Sequence, residues 1–229
     1  MTDAEVRFTG RRTTSGVVRV GNTVRRPTGA RSSFVHALLR HLEAKNFDGA
    51  PRYLGRDEEG REILSFMPGV VPPDLGGLTQ SQVVAGATLL RSFHDAAEGF
   101  SLLGNGEVVC HGDPSPCNTV FREGKPCAFI DFDSACPGTR TEDIGYAAWM
   151  WLDIGNDEIG AQHQYLGLKA FMAAYGVVAK CEPVAAVLHA QRRLCDRADG
   201  PHGNREWAMA CLKWTTRNLK AFADQEHVA

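Results

Sequence analysis

The spacing of apolar residues changes along the chain at about residue 69. Before that point, β-branched runs dominate residues 5–27, and Val17, Val18 and Val20 face Thr23 and Val24 across a Gly21-Asn22 pair, which predicts a β-hairpin. Phe34, Val35, Leu38, Leu39 and Leu42 then recur at helical spacing and predict a helix over residues 31–45. Strand-like runs at 51–54 and 62–66 follow. Residues 70–77 are rich in proline and glycine and read as a loop. Thr79-x-x-Gln82 is a capping box opening a helix to about residue 97. Residues 108–132 alternate short apolar runs with turns, and four helical segments follow from Glu142 onward. The order predicts an α+β protein: a small β-rich lobe over residues 1–68, a hinge at its end, and a mostly helical lobe over 69–229 with a hairpin inside it.

Length and composition agree with this division. The 229 residues suffice for one large domain or two small lobes, and 43% apolar with 23% charged residues excludes a disordered chain. No run of 18 apolar residues is present and the first ten residues lack a signal-peptide pattern, so neither a membrane span nor secretion is expected. The seven cysteines are odd in number and contain no C-x-x-C pair, which points to free thiols in a reducing cytoplasm.

The net charge of −2 hides an asymmetry. Residues 1–31 hold seven arginines against Asp3 and Glu5, a local excess of five positive charges. Such an end suits an anion, either a phosphate-bearing small molecule or nucleic acid. Interleaved aromatics and a helix-turn-helix pattern are both missing, so nucleic acid is not the expected partner.

The densest chemistry lies in Cys110-His111-Gly112-Asp113-Pro114-Ser115-Pro116-Cys117-Asn118 and in Phe129-Ile130-Asp131-Phe132-Asp133. Each group follows an apolar strand, and a hairpin between them would bring Asp113, Asn118 and Asp131 together. That trio suits phosphoryl transfer, with one carboxylate taking a hydroxyl proton while an amide oxygen and a second carboxylate hold Mg²⁺ on nucleotide phosphates. Asp133 is read as the cap of the following turn. A hydrolytic metal site would need more histidines at ligand spacing, and the other seven are scattered.

His111-x-Asp113-x₄-Asn118 followed by Ile130-Asp131 resembles the signature of the aminoglycoside phosphotransferase and choline kinase group. The resemblance implies a two-lobed protein-kinase-like fold and a small-molecule kinase using ATP or GTP with Mg²⁺. It implies Asp113 as catalytic base, His111 as brace of the catalytic loop, and Asn118 and Asp131 as metal ligands. Asp143 would support that loop. Ser65, Phe66 and Met67 would form the hinge that meets the purine edge. Residues 9–16, including Gly10 and Ser15, would cover the phosphates. A basic residue on the third strand would reach the phosphates, and strand alternation allows only one of Arg25 and Arg26 to do so; Arg25 is read as that residue.

One departure stands out. The resemblance implies a glutamate in the middle of the following helix, yet residues 31–42 contain no carboxylate and only His36 lies near the expected place. Without that partner the chain could be a non-catalytic binder acting in resistance or immunity by ligand sequestration. For the acceptor, a small hydroxylated molecule such as an amino-sugar, antibiotic or amino-alcohol, the candidates are Asp153, Asp157, Glu158, Glu206, Trp149, Trp151 and Trp207. The brevity of the chain predicts a shallow acceptor site that a partner chain, such as a second copy in a homo-oligomer, would complete.

Overall fold

The computed structural model describes residues 4–8, 15–176, 181–196, 202–219 and 222. Gly10 and most of the expected phosphate loop lie outside the described residues, and Ser15 is exposed in the turn that follows. Five antiparallel strands, β1 (Glu5–Arg7), β2 (Val18–Val20), β3 (Thr23–Arg26), β4 (Tyr53–Arg56) and β5 (Glu62–Ser65), form one sheet in the order β1-β2-β3-β5-β4. The Gly21-Asn22 pair joins β2 to β3 as the hairpin pattern requires, with Gly21 at φ 56°. Helix α1 (Ser32–Ala44) links β3 to β4 and buries Val35, Leu38, Leu39 and Leu42.

Register decides which arginine faces inward. Val24 lies opposite Leu64 and Arg26 opposite Glu62, whereas Arg25 lies opposite Ile63. Leu64 and Glu62 are buried. Directly opposed residues of an antiparallel pair project to one face, so Arg26 shares the covered face and Arg25 does not. The expectation for Arg25 is thus corrected. Its Nη1 sits 3.6 Å from Asp57 Oδ2, in a group that also contains Arg61.

The remainder is mostly helical: α2 (Gln80–Ala96), α3 (Arg140–Leu152), α4 (Ala161–Tyr175), α5 (Pro183–Asp196) and α6 (His202–Arg217). The capping box at Thr79 and Gln82 is formed, which accounts for where α2 begins. Two short ribbons lie among these helices, β6 (Val108–Cys110) with β9 (Cys136–Gly138), and β7 (Thr119–Arg122) with β8 (Lys125–Phe129). Glu123 and Gly124 turn the second ribbon with φ of 51° and 75°, the left-handed pair that matches strand twist. The loop after residue 69 is tied down by reciprocal hydrogen bonds between Val70 and Phe121, at 2.9 and 2.7 Å.

The core runs through both parts, with Leu38, Leu39, Phe93, Phe129, Ile144, Trp149 and Trp151 all essentially inaccessible. None of the seven cysteines is in a disulfide. No helix among the described residues is long and apolar enough to cross a membrane. Helices α3 and α5 approach closely because Gly145 lacks a side chain: a Cβ there would lie 2.3 Å from the Ala186 carbonyl oxygen. Gly145→Ala is therefore expected to lower stability by about 1–3 kcal/mol, read as a reduced urea midpoint at unchanged slope. An unchanged midpoint would mean that the two helices separate freely.

Candidate active site

Strand β6 ends at Cys110 and delivers His111 into an aromatic shell of Phe93, Phe129 and Phe132, with ring centroids 6.1, 5.3 and 4.4 Å away. Burial holds its imidazole below the ordinary histidine pKa, against the pull of the Asp143, Asp113 and Asp131 carboxylates. The chain then turns at Gly112, φ 81°, where a Cβ would meet the Ser134 carbonyl oxygen at 2.4 Å. Only glycine allows the two loops to touch at this point.

Asp143, in the first turn of α3, braces the loop from below. Its Oδ2 accepts from His111 N at 2.8 Å and its Oδ1 from Gly112 N at 3.0 Å. His94 of α2 adds Nε2 at 3.0 Å, and its Nδ1 lies 2.7 Å from the Tyr175 hydroxyl. Burial by itself would raise the Asp143 carboxyl. The hydrogen bond and charge of His94 and the Gly112 N–H outweigh it, so the pKa lies below the usual carboxylate range. Trp151 braces the same loop by donating Nε1–H to the Pro114 carbonyl at 2.8 Å.

Asp113 emerges from this support with Oδ1 buried and without a hydrogen-bond partner. The two His111 ring nitrogens on the same loop are likewise buried without a partner, but they are enclosed by the aromatic shell. Asp113 is only half-buried, and an orphaned carboxylate oxygen there suits a group kept for a ligand. A single 3₁₀ turn, Pro116–Asn118, brings Asn118 back to the same loop, where its Nδ2 donates to the Asp113 carbonyl at 3.1 Å. That orientation leaves the Asn118 side-chain oxygen as an acceptor. Its backbone carbonyl accepts from Ile130 N at 2.9 Å, which joins the second loop to the first. Asp131 follows in the left-handed region, φ 61° and ψ 63°, a conformation that aspartate tolerates better than most residues.

Arg26 crosses from the sheet to this point. Its Nη1 is 3.1 Å from Asp131 Oδ1, its Nη2 contacts Asp133 Oδ1, and its Nε is 2.6 Å from Glu62 Oε1. The charges of Asp133, Asp131 and Glu62 hold the guanidinium pKa above its ordinary value, even though burial works the other way. Asp133, expected as a turn cap, is thus an ion-pair partner. The 3₁₀ turn it lies in, Phe132–Ser134, has Asp131 as its N-cap, with no capping side-chain bond.

The structure therefore brings together His111, Asp113, Asn118 and Asp131 and adds Arg26 in place of Arg25. At the hinge, the Ser65 N–H donates to the Arg52 carbonyl at 2.9 Å and the Phe66 N–H to the Asn22 carbonyl at 2.8 Å. Those two amides are committed within the sheet, which leaves Met67 as the hinge residue with an unbonded N–H among the described residues. The Phe66 ring lies under the Arg19 guanidinium at 3.8 Å. On the acceptor side, Trp149 and Trp151 are both core residues; Trp149 stacks on Trp207 at 4.8 Å. Asp153 accepts from Asn156 Nδ2 at 2.8 Å, while Asp157, Glu158 and Glu206 are exposed.

Sequence reasoning missed Glu62 and His94. The apolar Val24 two places before Arg26 was the available signal for the arginine. Nothing local marks His94 as the partner of a residue 49 positions away.

Carboxylate and amide oxygens are the hard donors that Mg²⁺ prefers, and the side chains of Asn118 and Asp131 fit such an ion. Among the described residues no group of three or more His, Cys, Asp or Glu side chains is placed to hold a metal ion.

Comparison with known proteins agrees with the geometry. The profile of the phosphotransferase enzyme family matches residues 87–181, a span that includes both loops. A trifolitoxin immunity protein of Rhizobium leguminosarum bv. trifolii is 32% identical over 241 aligned positions, covering 91% of this chain and 90% of that protein. An aminoglycoside phosphotransferase from Alicyclobacillus acidocaldarius superposes with a TM-score of 0.60 at 12% identity, over 99% of this chain and 93% of the other. A choline/ethanolamine kinase family protein from Mesorhizobium loti gives 0.58 at 14% identity, over 97% and 90%. The two-lobed architecture is therefore protein-kinase-like, and the chain belongs to one family with the trifolitoxin immunity protein, its residues 87–181 matching the phosphotransferase enzyme family.

Proposed function

We propose that this protein transfers the γ-phosphoryl group of ATP or GTP to a hydroxyl of a small molecule of amino-sugar, antibiotic or amino-alcohol type. The observation behind this reading is the orphaned, buried Oδ1 of Asp113 on a loop that also presents Asn118 and abuts Asp131. The nucleotide lies between the lobe of residues 1–68 and the lobe of 69–229, with its phosphates toward Arg26. Asp113 orients the acceptor hydroxyl and takes its proton as the new oxygen–phosphorus bond forms and the bond to the β-phosphate oxygen breaks. Asn118 and Asp131 would hold Mg²⁺, which supplies neutralising charge to the phosphates. Seven cysteines outside any disulfide accord with a reducing cytoplasm.

Calorimetry of the full chain with Mg²⁺ and ATP or GTP tests this directly. Binding at submillimolar concentration is expected, followed by turnover on a panel of amino-alcohols and antibiotics; no binding at millimolar nucleotide would overturn it. Because a charged hydrogen bond contributes about 1.5–3 kcal/mol, Arg26→Ala should weaken nucleotide binding roughly tenfold to a hundredfold. Arg25→Ala, which disturbs only the Asp57 group, should leave binding nearly unchanged.

A second reading rests on the immunity protein among the relatives. Here the protein protects its host by holding a toxic ligand without modifying it. The two readings divide on Asp113→Asn in the host: protection is lost if transfer is the mechanism and kept if sequestration is.

A further inference from the structure

We infer that Glu62, held by His36, is the positioning carboxylate that orients Arg26 toward the nucleotide phosphates, an inference that rests on the phosphotransferase reading. Helix α1 has no carboxylate near its middle, its one carboxylate, Glu43, lying at the C-terminal end toward Arg52, but β5 offers Glu62. Glu62 and Arg26 are direct partners across an antiparallel pair, so their side chains rise side by side from one face of the sheet. Glu62 Oε1 accepts from Arg26 Nε at 2.6 Å, and Oε2 accepts from His36 Nε2 at 2.5 Å.

Both oxygens are thus engaged, and the Glu62 side chain is only 2% exposed. The His36 ring is fixed in turn by stacking on Tyr53, centroids 3.8 Å apart. The carboxylate therefore has one orientation, set from α1 and β4 together.

The consequence falls on the guanidinium. A planar fork gripped at Nε by a rigid carboxylate has its two terminal nitrogens aimed in one direction. Here those nitrogens meet Asp131 and Asp133, at the end of the second catalytic loop. Phosphate oxygens arriving there would take up the same two nitrogens while Nε stays on Glu62. A near-dry ion pair is weak evidence for stability, because desolvation cancels much of its attraction. Orientation of the fork is what an apolar pair at these positions could not provide. Moving the partner carboxylate from the helix to the strand also makes His36, where a helical glutamate was expected, a clamp on its replacement.

The experiment moves the carboxylate back. Nucleotide affinity with Mg²⁺ is measured by calorimetry on the full chain, together with the thermal midpoint in the absence of nucleotide. Glu62→Gln should weaken nucleotide binding roughly tenfold to a hundredfold. The double variant His36→Glu with Glu62→Gln puts the charge on α1 at the position whose side chain now touches Glu62 and should restore affinity to within about threefold of wild type. Glu62→Asp, which keeps the charge but shortens its reach, should bind with intermediate affinity and gives the same reading should Glu62→Gln fail to fold. A purely structural Glu62 would lower the midpoint and leave the affinity of folded protein unchanged in all three variants, which would overturn the inference. A double variant that folds with the wild-type midpoint yet stays weak would overturn it too. Wild-type protein that binds no nucleotide at all would instead overturn the phosphotransferase reading, and this inference with it.

Discussion

Asp113→Asn should lower the rate of phosphoryl transfer by roughly 10²–10⁴-fold while leaving nucleotide affinity close to wild type. The substitution is isosteric, and the loop is held by groups that it does not touch: Asp143 on the His111 and Gly112 amides, Trp151 on the Pro114 carbonyl. What it removes is the basicity of Oδ1, the buried oxygen without a protein partner. The phosphate side of the site, Arg26 with Asn118 and Asp131, is unchanged. Single-turnover kinetics over a range of acceptor concentrations, paired with calorimetry, separate the two effects. Equal turnover in the variant would remove Asp113 from the base role, and a parallel loss of nucleotide binding would make it a structural residue.

Asp143→Asn should have the largest effect on stability. The residue is buried, and its two oxygens receive three donors from His111, Gly112 and His94. An amide in its place loses the charge and turns an N–H toward donors. Breaking a buried charged group from its partners costs about 3–5 kcal/mol. For a chain of this size each kcal/mol lowers the thermal midpoint by about 2–4 °C, so a fall of roughly 6–20 °C is expected. Activity should fall as well, because Asp113 hangs from the same loop.

The pH dependence has a definite sign. The folded Asp143 carboxyl lies below its unfolded value, so the unfolded chain binds the proton first as pH falls. Its stabilisation is complete above the unfolded pKa of about 3.9 and is lost as pH drops through the folded value. Urea midpoints measured between pH 7 and pH 3 should therefore fall on the acid side in wild type. The Asn variant should start lower and show a flatter acid limb; identical acid limbs would show that Asp143 takes no part in acid unfolding.

Much of the site was legible because its signals are local. The Thr79 and Gln82 capping box, the Gly21-Asn22 hairpin and the apolar spacing of α1 each concern residues within a turn or two of one another. The same holds for Asp113 and Asn118, which one 3₁₀ turn joins, and for Asp131 at the end of the adjoining ribbon. The errors have a common form. Choosing Arg25 over Arg26 was an error of parity, and a one-residue shift on a strand reverses the face. Trp149 and Trp151 lie two apart on α3 and cannot share one face, so at least one is expected in the core; both are buried, because α3 is covered from several sides and has no free face for a cage.

The residues settled only in three dimensions are those whose partners lie far along the chain. Arg26 meets Asp131 across 105 positions, His94 meets Asp143 across 49, and His36 meets Glu62 across 26. Hydrophobic period and capping chemistry act over a few residues, so the order of helices, the ribbon and the clustering of Asp113, Asn118 and Asp131 could be read from the amino-acid order alone. Strand register and helix packing are set by the global burial of apolar surface, which no short stretch encodes. They decided that the sheet presents Arg26, and that the carboxylate beside it comes from β5.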